Sequence, residues 1–345
     1  MPVGRLGRDF LGVRVADVVE RPEGLGMDVS RHPLPAPVVD LAYAPGAACW
    51  YGLGSDGSVH RLGGDWSSAG VVAEAGDDHS LAARLAVAMT GRFVAVADDH
   101  GRYGVVVDAA SGAVTMRLDA GGDHEERVPL SAAFARLGER DVLVHRTAWN
   151  RLEVSDPATG ERLVPGEPSP EHHRDYGHGR LHVSPRGGRL LDDGWVAHPY
   201  GLPVTWSLAE GGPSWCMLDR RESYWDHGMC WIDDQRVAIE GIGLADDHIV
   251  AGARVFDVTR RSRESTARWP AARELTQFPG PAGDLFSDGA RLFSSSDDGL
   301  SVWSLADGAL IAHLDGFRPR YHSRATGQLV ELRADEVAVW SYSPP

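Results

Sequence analysis

Four histidines, His172, His173, His178 and His182, fall within eleven residues of one polar stretch, and His198 and His227 follow further on. Neutral imidazoles suit zinc, iron and copper, so His173, His178, His198 and His227 form a candidate divalent-metal set if the fold draws their loops together. Their spacing matches neither a helical ligand pair nor a zinc knuckle, and a solvated polar loop that binds no metal and needs no cofactor is the simpler reading. Adjacent acids recur as Asp77-Asp78, Asp98-Asp99, Asp192-Asp193, Asp233-Asp234 and Asp246-Asp247. Such pairs on turns face water or cap backbone amides, although calcium would use the same oxygens. No Gly-x-Ser-x-Gly elbow is present, which excludes an attached serine hydrolase of that type. All 34 basic residues are arginine, so Schiff-base and P-loop lysine chemistry are excluded. No residue is assigned a catalytic role.

The chain that must position these groups has 345 residues, 43% of them hydrophobic, enough for a sizeable core. Its 34 basic and 49 acidic side chains leave a net charge of −15, spread along the length. Nucleic acid and anionic membranes both demand positive faces, so neither is an expected partner. The opening residues, MPVGRLGRDF, lack the apolar core of a signal peptide, and no apolar run reaches membrane-spanning length. The expectation is a cytoplasmic protein, and the Ala, Gly, Val and Arg bias suggests a GC-rich bacterial genome. Cys49, Cys216 and Cys230 are odd in number and sit in apolar, strand-like surroundings, where buried inert thiols are expected.

Amphipathic helical patterns are scarce, and short β-rich runs separated by Gly, Asp, Ser and Pro predict an all-β chain. A strand ending in Ser or Asp, followed by a glycine four residues on, recurs: Asp108 to Gly112, Asp156 to Gly160, Ser207 to Gly211 and Ser304 to Gly308. With Arg61, Asp257 and Ser341 filling the same slot, the anchors stand at 61, 108, 156, 207, 257, 304 and 341, with spacings of 47, 48, 51, 50, 47 and 37. That period suits a four-stranded propeller blade with long loops. The clearest copy, SDGARLFSSSDDGLSVW from Ser287 to Trp303, reads as turn, strand, Asp-Gly hairpin and strand.

These residues resemble the WD-repeat β-propeller family over roughly Val38 to Tyr342, most strongly around Trp303 and least around Trp206. The Gly-His pair that usually opens such repeats is read as missing, and Trp-Ser or Phe-Asp stands where Trp-Asp is usual. The resemblance implies a single domain over 1–345: a seven-bladed propeller of four-stranded antiparallel blades, with an N-terminal segment over 1–37 and blade repeats over 38–345. The last copy ends after its third strand, so an N-terminal strand, read here as Asp9 to Glu20, is expected to complete it and close the ring. Trp206, Trp303 and Trp340 are expected to pack between blades.

In such a ring, loops gather on one face around a central channel, where binding sites collect. The loop residues with anchoring chemistry are His100, Tyr103, Trp149, His173, Tyr176, His198, Tyr200, Trp225, His227, Arg320 and Tyr321. The expected function is a non-catalytic, monomeric scaffold that binds a protein or peptide on that loop-rich face. The alternative from another class is a metal-dependent or small-molecule-converting enzyme with a histidine-lined channel.

Overall fold

A computed structural model of the chain describes residues 28–74, 83–121, 129–163, 176–196, 200–208, 214–222, 227–243, 249–263, 265 and 270–344. The described residues form strands and no helix, arranged as eight antiparallel sheets of three or four strands.

The recurrent anchor residue has a physical explanation. At the end of one strand, the Asp108 carboxylate accepts the backbone N–H groups of Ala110 and Ser111 at 2.9 and 3.2 Å. The same closure recurs at Asp156 with Ala158 (2.7 Å) and Ser304 with Ala306 (3.3 Å), whereas Asp257, read from the sequence as a strand-end anchor, bonds Thr259 (2.9 Å) within the strand Val250–Arg261, which runs on past it. Gly112, Gly160 and Gly308 then take φ of 70°, 73° and 76°, each N–H returning to its anchor's carbonyl at 2.8 Å. A left-handed residue with no Cβ penalty is what this turn needs, hence the glycine four residues on.

In the sheet that ends at Asp119, burial falls from the second strand outward. Phe93–Asp98 (FVAVAD) is buried at every position and Tyr103–Asp108 at four of six, whereas the outer strand Ala113–Asp119 is largely exposed. Runs of Val and Ala suit strands covered on both faces. The core is divided into seven hydrophobic clusters, six between two sheets and one that also includes Tyr176 of a third. Val59 and Val94 belong to one, Ala95 and Phe134 to the next, then Val144 with Trp206, Leu191 with Val237, Ala253 with Leu292, and Phe293 with Trp340. The seventh joins Leu62 of the first sheet to Val339 of the last. Trp206 and Trp340 lie deep in these seams, and Trp303 is partly buried with its indole N–H on the Ser294 hydroxyl at 2.9 Å. Cys216 and Cys230 are buried and Cys49 half-buried, all as free thiols; burial pushes the first two up to about 11 and about 12, which keeps them protonated and unreactive.

Three details correct the sequence reading. The strand beside the last one, Glu336–Ser341, is Val29–Pro33, paired antiparallel from Val29 with Trp340 to Pro33 with Glu336. Asp9 to Glu20 lies outside the described residues, and the position proposed for it is taken. The sheet of Ala132–Leu137, Arg140–Ala148 and Arg151–Ser155 has three strands, with a single bridge from Ser155 to Arg162 at its outer edge. Finally, the sheet of Leu181–Val183, Arg189–Asp192, Val204–Ser207 and Ser214–Met217 is continued past a break by a second short sheet of Tyr176–Gly177, Trp195–Val196, Tyr200–Gly201 and Arg221–Glu222. At that break a Cβ on Gly179 would meet the Asp193 carbonyl oxygen at 1.8 Å, so only glycine fits.

Candidate functional site

Seven of the eight sheets present one edge strand to a common cavity of about 880 Å³. These inner strands are Val38–Ala44, Ala83–Val87, Ala132–Leu137, Leu181–Val183, Met229–Trp231, Asp284–Ser287 and Tyr321–Ser323. Although the chain is strongly acidic, the cavity wall carries four arginines (Arg84, Arg180, Arg320, Arg324) and four aspartates (Asp40, Asp99, Asp193, Asp284). Four histidines, His100, His182, His227 and His322, complete its titratable groups apart from Tyr43, Tyr321 and Cys230.

Most of this charge is neutralised internally. Asp40 is buried; its carboxylate accepts the Tyr321 hydroxyl at 2.8 Å and the Leu85 backbone N–H at 2.7 Å. Burial raises the Asp40 carboxyl above its ordinary range despite these donors and the nearby Arg84 charge, and burial beside Asp40 likewise raises the Tyr321 hydroxyl. Arg84 pairs with Asp99 at 2.8 Å. Arg324 donates to the Ser287 carbonyl at 2.7 Å and to the Ile232 carbonyl, binding neighbouring sheets together. One carboxylate thus joins three inner strands, and one guanidinium spans two further sheets.

Burial holds His182, His227 and His322 neutral, each pushed down to about 3, with Arg180, Arg221 and Arg324 adding repulsion in turn. The His322 Nε2 and the Tyr342 hydroxyl share a hydrogen bond of 2.6 Å, and the ring packs against Phe286 and Phe293. Of the metal candidates, His173 and His198 lie outside the described residues. His178 is fully buried, its Nδ1 2.7 Å from Asp192 Oδ2, while Trp206 Nε1 donates to the same oxygen at 3.3 Å and the Gly179 N–H to Oδ1 at 3.0 Å. The His178 imidazole is thus engaged in a structural network with Asp192 and Trp206. Among the described residues no three His, Cys, Asp or Glu side chains gather closely enough to hold a metal ion.

The contact residues expected from the loops divide into three groups. His100, His227, Arg320 and Tyr321 line the cavity; His100 is exposed, with φ of 56°, whereas His227 is buried. Tyr103, Trp149 and Tyr200 are not among its lining residues: Tyr103 is 55% exposed under the Arg102 guanidinium, Trp149 packs on Trp195 at 5.7 Å between ring centroids, and Arg220 lies 4.0 Å over the Tyr200 ring. Tyr176 is 2% exposed, its hydroxyl on the Leu202 carbonyl, so it is a core residue and not a contact surface. Trp225 lies outside the described residues. Sequence reasoning missed Asp40, Arg84 and Arg180. The signal for Asp40 was a lone acid within the apolar run VVDLAYA, which must find donors when that strand is buried.

No protein-family model matches the chain, and a search of curated proteins finds no match.

Proposed function

We propose that this chain is a seven-bladed β-propeller, closed by Val29–Pro33, acting as a non-catalytic scaffold that binds a protein or peptide at the loop-rich end of its central cavity. The observation that carries the reading is cyclic. Seven hydrophobic seams link in cyclic order the seven sheets whose inner strands share one cavity. A rigid ring that holds exposed His100, Tyr103 and Arg320 together with half-buried Trp149 and Tyr200 offers adaptable aromatic and arginine anchors, the residue types that dominate binding hot spots. Polar groups of the wall are engaged structurally: Asp40 and Arg324 tie neighbouring sheets, Arg84 pairs with Asp99, and Asp192 holds His178. The enzyme reading gains no such support, because His178 has a structural partner and His227 is buried.

Selection of a random-peptide display library on the purified full chain tests the proposal. The expected result is an enriched consensus whose saturable binding is lost when Trp149 and Tyr200 are both changed to Ala, with the melting temperature retained. A selection that enriches no consensus contradicts it.

A further inference from the structure

The cavity's charges are not all balanced, and the exceptions are informative. Arg84 has Asp99, Arg324 has the Ser287 and Ile232 carbonyls, and Asp40 has Tyr321 and Leu85. Arg180 and Arg320 are different: both are exposed, both line the cavity, and among the described residues neither guanidinium has a hydrogen-bond or ion-pair partner. Each immediately precedes an inner strand, Leu181–Val183 for Arg180 and Tyr321–Ser323 for Arg320, so both stand at the same level, where the chain enters the cavity wall. In the cyclic order of the proposed propeller these are the fourth and seventh inner strands, three steps apart, the greatest separation that seven positions allow. In that order the two arginines stand on opposite sides of the cavity they line. Asp284, also exposed and lining the cavity, has no side-chain partner among the described residues.

A guanidinium presents a planar fork of donors that matches a carboxylate bidentately. In a chain with 15 more acidic than basic side chains, long-range attraction does not hold an anion; paired, directional contacts must do so. We propose that the mouth of the cavity takes a ligand bearing two carboxylates, one at Arg180 and the other at Arg320, as presented by the acidic side chains of a peptide. This rests on the scaffold reading above and names the chemistry of its ligand. A free dicarboxylic acid offers the same two groups, and the test separates the two sources.

The probes are fluorescein-labelled octaglutamate, octalysine and a neutral Gly-Ser peptide of equal length, followed by anisotropy, with glutarate and adipate added as unlabelled competitors. Saturable binding of octaglutamate alone is expected, weakened about tenfold by Arg180→Gln and again by Arg320→Gln, with Arg117→Gln on an exposed outer strand without effect. Competition by glutarate or adipate at concentrations comparable to the peptide's supports the site and assigns it to free dicarboxylates; its absence assigns the site to acidic peptides. Octaglutamate binding that ignores both arginine changes, a preference for octalysine, or no binding of any carboxylate probe overturns the inference. If display selection still enriches a consensus lacking Asp and Glu, only this inference falls and the scaffold reading stands; if it enriches none, the scaffold reading falls with it.

Discussion

The Tyr321 hydroxyl donates to the Asp40 carboxylate at 2.8 Å across 281 residues of sequence, tying the inner strand of the last sheet to that of the first. The other Asp40 oxygen takes the Leu85 N–H, so one buried acid joins three strands around the cavity.

Tyr321→Phe removes a donor that the ionised form of Asp40 depends on. Burial raises the Asp40 carboxyl above its unfolded value of 3.8, so its favourable contribution is full below 3.8 and is lost as pH rises through the folded value. Loss of the tyrosine donor raises the folded value further. The variant is therefore expected to lose about 1–3 kcal/mol at neutral pH and clearly less near pH 4. Urea unfolding at the two pH values checks this, and equal losses would contradict the assigned role.

The neutral histidines predict acid lability. His182, His227 and His322 sit at about 3 in the fold against 6.5 when free, so the unfolded chain takes up protons first. Their stabilisation is full above 6.5 and is lost as pH falls from there towards 3, at up to about 1.4 kcal/mol per pH unit for each. In His322→Gln, whose ring faces Arg324 and Asp288, the pH dependence of urea unfolding should show roughly one proton fewer taken up. An unchanged slope would exclude His322 from the acid response.

In the proposed propeller, ring closure depends on the five-residue strand Val29–Pro33. Deletion through Met27 leaves Val29–Pro33 in place, while deletion through Pro33 removes its ladder with Glu336–Trp340, the Ser30 bond to the Val339 carbonyl and the packing of Val29. At about 1 kcal/mol per hydrogen bond, the longer deletion should cost about 5 kcal/mol more than the shorter. Thermal unfolding of the two truncations compares them; equal melting temperatures would show that closure lies elsewhere.

Asp192 is the acceptor for His178, Trp206 and the Gly179 N–H at full burial. Asp192→Ala leaves all three donors without it and should cost about 3–5 kcal/mol. His178→Ala should likewise lower the melting temperature without altering metal content measured by mass spectrometry. Stoichiometric metal lost on that change would restore the ligand reading.

Much of the sheet pattern is legible in the residues themselves. Anchors such as Asp108 and Ser304 each end a strand, because a turn closed by a side-chain oxygen and a left-handed glycine leaves a local signature. The clasp was missed because VSRHP, with a charge, a histidine and a terminal proline, reads as loop; as an edge strand it tolerates all three. The second short sheet is built of two-residue strands, which carry no periodicity. The role of His178 depends on Asp192, fourteen residues away, and on a break that sequence spacing does not reveal.

Hydrogen–deuterium exchange of the full chain, alone and saturated with a display-selected peptide, tests the proposed binding face most directly. The account predicts new protection at the loop-rich end of the cavity, around His100, Arg180, His227 and Arg320, with Ser68–Glu74 and Ala113–Asp119 on the outer edges unchanged. Protection confined to those outer strands, with none around the cavity, would contradict it.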